Sequence, residues 1–288
     1  LKIKSEKLKK ISNLRPDDYI IDIGSNDGTF LSNFKKSKKL IGVDPTIKKL
    51  KKFYRKDIIA IPEFFNEKTV INHIKNKKAK IISTISMFYD LPSPIKFAQD
   101  IYECLDKDGI WHLEQSYMPL MLKNISYDTI CHEHLEYYSL KTIKFIFDQV
   151  GFKIIDLEFN DINGGSFAIT VSKIGSKYSE YSKVVNWLLT KEENFKYNSP
   201  STHLKFFKNV QQHKKLLKDL LLNLLDMKKK VIGYGASTKG NVILQYCNLN
   251  SNDIKFIVDV NKDKNNRYTP GSLIKILSEK EIKKYKPD

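Results

Sequence analysis

Two short stretches of this chain combine residue types that can do chemistry. In the first, Ile20-Ile21-Asp22-Ile23-Gly24-Ser25-Asn26-Asp27-Gly28-Thr29, a β-branched run carries an acid and passes into a glycine turn. Glycine there lets backbone approach a ligand closely. Twenty residues past Gly24, Gly42-Val43-Asp44-Pro45 ends the next such run, where a carboxylate can accept bonds from a ribose diol. The spacing is Asp-x-Gly-x-x-x-Gly, whereas a dinucleotide loop reads Gly-x-Gly-x-x-Gly and seats a pyrophosphate over a helix N-terminus. Asp22 and Asp27 would repel a diphosphate and suit the sulfonium and ammonium of S-adenosylmethionine. The residues expected to hold that cofactor are Asp22, Gly24, Ser25, Asn26, Asp27, Gly28, Asp44 and Met87. A tight turn with no ligand is the competing reading.

The second stretch, Tyr127 to Tyr138, contains Cys131-His132-Glu133-His134, with two of the six histidines. Three readings compete. His132 and His134 would share one face of an extended strand, but no third ligand stands at a familiar metal spacing, so no metal is expected. Histidines bonding backbone in a helix-entry loop are the structural reading. The third is general-base catalysis, with a histidine that titrates near neutrality and a neighbouring carboxylate to orient it. A methyl acceptor carbon beside a ketone would need such a base, and donors near its oxygen would stabilise the enolate.

A second glycine-rich run, Val231-Ile232-Gly233-Tyr234-Gly235, precedes Lys239, Gly240 and Asn241. Backbone amides and an ammonium there could hold a phosphate, and Asp259 after the next β-like run resembles a ribose-binding acid. Packing of a repeated α/β unit without ligand is equally open. Met87-Phe88 and Pro62 to Phe65 follow strand-like runs, where apolar side chains could sandwich an adenine or simply join the core.

The elements that must position these residues follow the βαβ rhythm of a parallel sheet. Strands are expected at Tyr19–Ile23, Leu40–Val43, Ile58–Ile61, Lys80–Ile85 and Gly109–Glu114. Helices are expected at Thr29–Lys36, Ile47–Arg55, Asn66–Lys75, Pro94–Leu105 and Ser139–Gln149. Phe152–Phe159 and Ser166–Lys173, joined through Asn163-Gly164-Gly165, read as an antiparallel pair closing the sheet. From Tyr178 to Lys229 the pattern is helical, with Leu204, Phe207, Val210, Leu217, Leu221 and Leu224 forming a stripe expected to pack on its own domain. A second βαβ pattern follows, with a helix at Thr238–Tyr246 and a strand at Ile254–Val258. The organisation is α/β: a Rossmann-like class I domain over 1–175, a helical connector over 176–229, and a second, truncated Rossmann-like domain over 230–288.

Composition bounds the rest. The chain has 288 residues, 41% hydrophobic and 29% charged, with no apolar run long enough to span a bilayer. It reads as a soluble cytoplasmic protein. Cys104, Cys131 and Cys247 are too scattered for zinc ligation or a disulfide framework. Lys plus Arg number 50 against 33 acids, for a net charge of +17, yet only Arg15, Arg55 and Arg267 are arginines. The excess is dispersed lysine, which favours a solvated surface and an anionic small molecule over nucleic acid. Residues 1–10 lack the apolar core of a signal peptide. The chain does not begin with Met and stops at Pro287-Asp288 without a closing strand, so both ends are expected to be cut from a longer protein. Oligomeric state is left open, and a monomer is compatible with the pattern.

Ile-Gly-Ser-Asn-Asp-Gly-Thr at 23–29, Tyr-Asp-Thr-Ile-Cys-His-Glu-His at 127–134, Asn-Gly-Gly-Ser at 163–166 and Gly-Tyr-Gly-Ala-Ser-Thr-Lys-Gly-Asn at 233–241 lie in order over nearly the whole chain. Together they resemble the sugar C-methyltransferases, including the C-3′-methyltransferases of deoxysugar biosynthesis. The resemblance implies S-adenosylmethionine-dependent methylation of a nucleotide-linked 4-keto-deoxysugar at carbon 3. It makes His134 the base and Glu133 the acid beside it. Tyr117, Cys131, His132, Asn163, Lys239 and Asn241 are expected against the substrate. Cys131 stands where the family carries a tyrosine, and Asn163 where a histidine is usual. The family's N-terminal zinc-binding domain has no counterpart in this sequence. A non-catalytic sugar-nucleotide-binding or scaffolding protein that keeps the fold is the alternative. An NAD-dependent oxidoreductase is disfavoured by Asp22 and Asp27.

Overall fold

The structure is a computed structural model and describes residues 1–36, 39–74 and 77–288. It forms two compact units, residues 1–120 with 135–195, and residues 121–134 with 196–288.

The first unit opens on helix α1 (Lys2–Ser12), followed by strands and helices β1 (Tyr19–Ile23), β2 (Leu40–Val43), α2 (Ile47–Leu50), β3 (Ile59–Ile61), α3 (Glu67–Ile71), β4 (Ala79–Ile85), α4 (Pro94–Cys104) and β5 (Leu105–Ser116). Helix α5 (Met118–Asn124) leads away from β5, and α6 (Leu140–Val150), β6 (Phe152–Asn160), β7 (Ser166–Lys173) and α7 (Ser182–Phe195) complete this part. The strands pair in the order β3-β2-β1-β4-β5-β7-β6. The first five are parallel, and β7 runs antiparallel to both β5 and β6. This is the Rossmann-like class I arrangement. Every residue of β1 is buried, as a central parallel strand covered on both faces requires. One face packs Trp111, Ile82 and Ile21 against Phe97 of α4 and Phe147 of α6, while the other packs Ile20 and Ile110 against Leu8 of α1 and Phe34.

Strand order reverses between β1 and β4, and ligands of such sheets bind outside the carboxyl ends at that point. Both ends carry residues singled out above.

Several local expectations change. Residues 29–36 contain only a 3-10 turn at Leu31–Asn33, because the Asn33 amide donates back to the Thr29 and Phe30 carbonyls and Phe34 is extended. The 47–55 helix divides into α2 and a 3-10 turn at Lys51–Phe53. Helix α3 stops at Ile71, and Lys75, the expected end, lies outside the described residues. Helix α1, which the basic N-terminal segment did not suggest, buries Leu8 completely.

The second unit contains α8 (Pro200–Asp226), β8 (Gly233–Tyr234), α9 (Thr238–Tyr246), β9 (Ile257–Val258), β10 (Ile276–Leu277) and α10 (Glu279–Ile282). Its three strands pair in parallel in the order β10-β9-β8. Leu221, Leu244, Cys247, Ile257 and Ile274 form its core. The apolar stripe on α8 does not pack throughout: Val210 and Leu221 are buried, whereas Leu204 and Phe207 are more than half exposed. Among the described residues no helix is long and apolar enough to cross a membrane.

Candidate active site

Strand β1 delivers Asp22 to the sheet's carboxyl edge, and the chain turns through Gly24 and Asn26, both with left-handed backbone. The Gly24 amide donates to the Val43 carbonyl and the Gly28 amide to Ser25, which fixes the turn. A Cβ on Gly24 would stand 2.8 Å from Met87 Cγ, so no side chain fits there. Asp22, Gly24, Ser25, Asn26, Asp27, Asp44 and Met87 line one cavity of about 500 Å³, with Thr29, Phe30, Ile85 and Ser86 among its other walls. Seven of the eight residues expected around the cofactor therefore come together. Gly28 lies behind them against the Tyr54 ring.

Asp44 is held in place by the loop it serves. Its Oδ2 accepts the Asn26 amide at 2.9 Å, and its Oδ1 accepts the Thr46 amide at 2.7 Å and the Thr46 hydroxyl at 2.6 Å. A carboxylate has about four acceptor positions, so roughly one is left on Oδ2. A second bond to a ribose diol requires the Thr46 hydroxyl to rotate away.

Asp22 has a different environment. It is almost fully buried, and its Oδ1 accepts the Ser83 hydroxyl at 2.6 Å. Burial pushes its pKa up to about 7; the Ser83 bond opposes this and the Asp44 charge adds to it. The carboxyl thus titrates near neutrality beside a cavity, a poise that a cation entering the cavity would move toward the charged form.

Ser83 and Tyr54 were not expected at this site. Tyr54 follows the 3-10 turn after α2 and shares a 2.7 Å hydrogen bond with Ser25 Oγ. A Cβ on Gly42 would meet both Ser25 Oγ and the Tyr54 ring within 2.9 Å, so a glycine in β2 lets Tyr54 buttress the loop. A glycine inside an apolar strand was the signal available for this. Ser86, with positive φ, is a third wall residue that the sequence did not mark. Of the apolar candidates for an adenine sandwich, only Met87 lines the cavity. Phe88 is fully buried among Trp111, Phe97 and Tyr138, Phe65 packs on Phe97, and Phe64 is exposed.

Two expected substrate residues also lie in the first unit. Tyr117 is buried, and its hydroxyl donates to Glu192 Oε1 at 2.6 Å. Asn163 takes positive φ in the turn between β6 and β7.

Cys131, His132, Glu133 and His134 belong to the second unit. They form a turn, not the extended strand considered above: the His134 amide donates to the Cys131 carbonyl at 3.2 Å. His132 and Glu133 are exposed, and His134 is half-buried. His134 Nδ1 is 2.7 Å from the Thr129 carbonyl. A carbonyl only accepts, so Nδ1 carries the proton and the basic lone pair of the neutral ring is on Nε2.

The second glycine loop repeats the geometry of the first. The Gly235 amide donates to the Val258 carbonyl, and Asp259 accepts the Ala236 amide at 2.9 Å and the Asn261 amide at 2.8 Å. Asp44 makes the corresponding bonds with Asn26 and Thr46. Here Lys264 Nζ adds an ion pair at 3.1 Å, and Asp259 is held below its usual range, chiefly by the Asn261 amide. Lys239 and Asn241 stand in the first turn of α9, capped by Ser237.

Residues 2–157, more than half the chain, match the methyltransferase domain family. The chain belongs to this methyltransferase family. Residues 161–288 match the C-methyltransferase C-terminal domain. The C-methyltransferase NovU of Streptomyces niveus is 27% identical over 278 residues, covering 96% of this chain and 66% of NovU, so the chain spans just under two thirds of that relative. Among solved structures, a SAM-dependent methyltransferase from Anabaena variabilis is 14% identical, covers 60% of this chain and 86% of its own, and superposes with a TM-score of 0.45. The YcgJ protein from Bacillus subtilis is similar at 14% identity, 59% and 98% coverage and a TM-score of 0.45.

S-adenosylmethionine, the methyl donor of this methyltransferase family, fits the first unit's cavity. The Gly24 floor admits close contact, Asp44 offers an acceptor, and Asp22 and Asp27 present acids to a cationic ligand. The turn that follows is only three residues of 3-10 helix, so no long helix N-terminus favours a diphosphate. Replacing Asp44 by Ala should weaken S-adenosylhomocysteine binding by about ten- to a hundredfold, since a hydrogen bond to a charged group is worth about 1.5–3 kcal/mol. Gly24→Ala should be at least as damaging, through strain and the Met87 contact. Calorimetric titration checks both, with NAD as the ligand that should not bind.

Proposed function

We propose that this methyltransferase transfers a methyl group from S-adenosylmethionine to a carbon beside the ketone of a nucleotide-linked keto-deoxysugar. The observation that carries the mechanism is the His134 hydrogen bond to Thr129, which leaves Nε2 as the proton acceptor in a chain whose residues 161–288 match a C-methyltransferase domain. Carbon methylation, unlike methylation of a hydroxyl, needs a carbon-bound proton removed. The bound donor supplies an electrophilic methyl on a cationic sulfur.

His134 Nε2 takes the proton α to the ketone, and the electron pair of that C–H bond moves into an enolate. Glu133, its neighbour in the turn, stabilises the imidazolium that forms. Asp22, Asp44 and the 24–28 loop of the first unit hold the donor, and the second unit holds the nucleotide, with Lys239 and Asn241 at its phosphates. Tyr117, Cys131, His132 and Asn163 are assigned to the sugar. The ordered motifs at 127–134, 163–166 and 233–241 support the choice of sugar.

The test is solvent-deuterium incorporation into nucleotide-linked 4-keto-deoxysugars by the full-length enzyme with S-adenosylhomocysteine in place of the donor. The expected result is exchange confined to one α-carbon. Binding of sugar and cofactor with no exchange would favour a non-catalytic binding protein.

A further inference from the structure

Tyr127, seven residues before His134 and in the same unit, is buried within a short 3-10 turn. Its ring packs on Tyr246 of α9, with centroids 5.3 Å apart, and edge-on to His213 of α8 at 5.5 Å. Its hydroxyl is 3.0 Å from His213 Nδ1 and 3.4 Å from Sγ of the fully buried Cys247. Packing alone would be met by a phenylalanine; the hydroxyl adds direction, tying the turn to two helices at once.

The tie runs on to the proposed base through a few backbone groups. The Ile130 amide donates to the Tyr127 carbonyl at 3.0 Å, and the Thr129 hydroxyl donates to the Ser126 carbonyl at 2.8 Å. These bonds close the 3-10 turn 127–129 and fix where the Thr129 carbonyl points. That carbonyl holds His134 Nδ1 at 2.7 Å.

We infer that Tyr127 is the positioning residue for His134: its hydroxyl, held by His213 and Cys247, aims the Thr129 carbonyl that selects the Nδ1–H tautomer and so puts the basic lone pair on Nε2. The kinetic consequence rests on His134 being the base; the tautomer does not. A bond angle or position lost by about 1 Å in such a site costs up to about a hundredfold in rate. A residue that only loosens the tautomer costs less.

The test is nitrogen-15 NMR of the histidine-labelled chain, with His134 assigned by its loss in His134→Gln. The native chain should show His134 as the single Nδ1–H tautomer. Tyr127→Phe keeps the ring and should move the His134 signals toward a mixture of tautomers. His213→Ala, at an exposed position, should do the same from the other end of the hydrogen bond, and it guards against a packing defect in the first variant. In the full-length enzyme Tyr127→Phe should lower kcat for α-proton exchange about tenfold with KM unchanged. Native tautomer in both variants would overturn the inference. A tautomer shift with unchanged exchange would instead uphold the anchor and count against His134 as the base.

Discussion

His134→Ala should reduce α-proton exchange and methyl transfer by about 10²–10⁴-fold, the range by which a positioned general base accelerates proton transfer, while S-adenosylhomocysteine affinity stays within about twofold of native. The separation follows from the roles proposed for the groups. The cavity proposed for the donor is lined by residues of the first unit, and His134 is not among them. In the proposed mechanism the proton goes to Nε2, since Nδ1 donates to the Thr129 carbonyl. Exchange and turnover are measured separately, by deuterium incorporation and by release of S-adenosylhomocysteine. Native exchange in the variant would remove His134 from the mechanism. Loss of cofactor affinity along with turnover would show that the substitution damages the fold.

Asp22→Asn should have opposite effects on binding and on stability. In the ligand-free chain, burial raises the Asp22 carboxyl from the ordinary 3.8 to about 7. Between those values the folded chain holds a proton that the unfolded chain has released, so stability falls as pH rises through that window. Above pH 7 the full cost of the buried charge is present, about 4 kcal/mol for a shift of this size. Asparagine has nearly the same shape, can keep the Ser83 partner and carries no charge. The variant should therefore melt several degrees higher than native at pH 8, with the gain shrinking toward zero near pH 4.

Cofactor binding should move the other way. A cationic ligand beside Asp22 favours the carboxylate, so native affinity should fall by up to about tenfold per pH unit below 7 as the proton must be displaced. In Asp22→Asn the affinity should be lower and nearly flat with pH. Calorimetry in buffers of different ionisation enthalpy reads the released proton directly. A native chain whose affinity does not change between pH 8 and 6 would contradict the role given to Asp22.

What the sequence made legible depended on how local the cause was. The sheet was readable because β1 and β2 are short, mostly apolar runs followed by Gly24 and Asp44, and their observed limits are Tyr19–Ile23 and Leu40–Val43, as expected. The α9 limits also agree, since Ser237 is a capping residue and the Gly235 turn precedes it. Helices written by composition alone were less secure. Residues 29–36 have helical spacing, yet the Asn33 side chain competes for backbone carbonyls and leaves a 3-10 turn. His132 and His134 alternate as in a strand, but the Cys131 carbonyl closes a turn around them.

The site divides in the same way. The Asp22, Gly24 and Asp44 arrangement was visible because its parts sit at strand ends with fixed spacing. Tyr54, Ser83 and the Tyr127 anchor were not, since each acts through a partner 29 to 120 residues away that periodicity does not mark. The raised Asp22 carboxyl likewise depends on burial and on the Asp44 charge of the neighbouring strand end, both tertiary properties.

The bond that is made distinguishes carbon methylation from every alternative. The full-length enzyme is incubated with S-adenosylmethionine labelled with carbon-13 in its methyl group and a panel of nucleotide-linked keto-deoxysugars, and the product is read by carbon–proton NMR. The expected product carries a labelled methyl on a ring carbon next to the carbonyl and has lost the proton that carbon carried. A labelled methyl on oxygen or nitrogen, or no product from any keto-sugar while the folded enzyme binds the donor, would contradict the proposed carbon methylation.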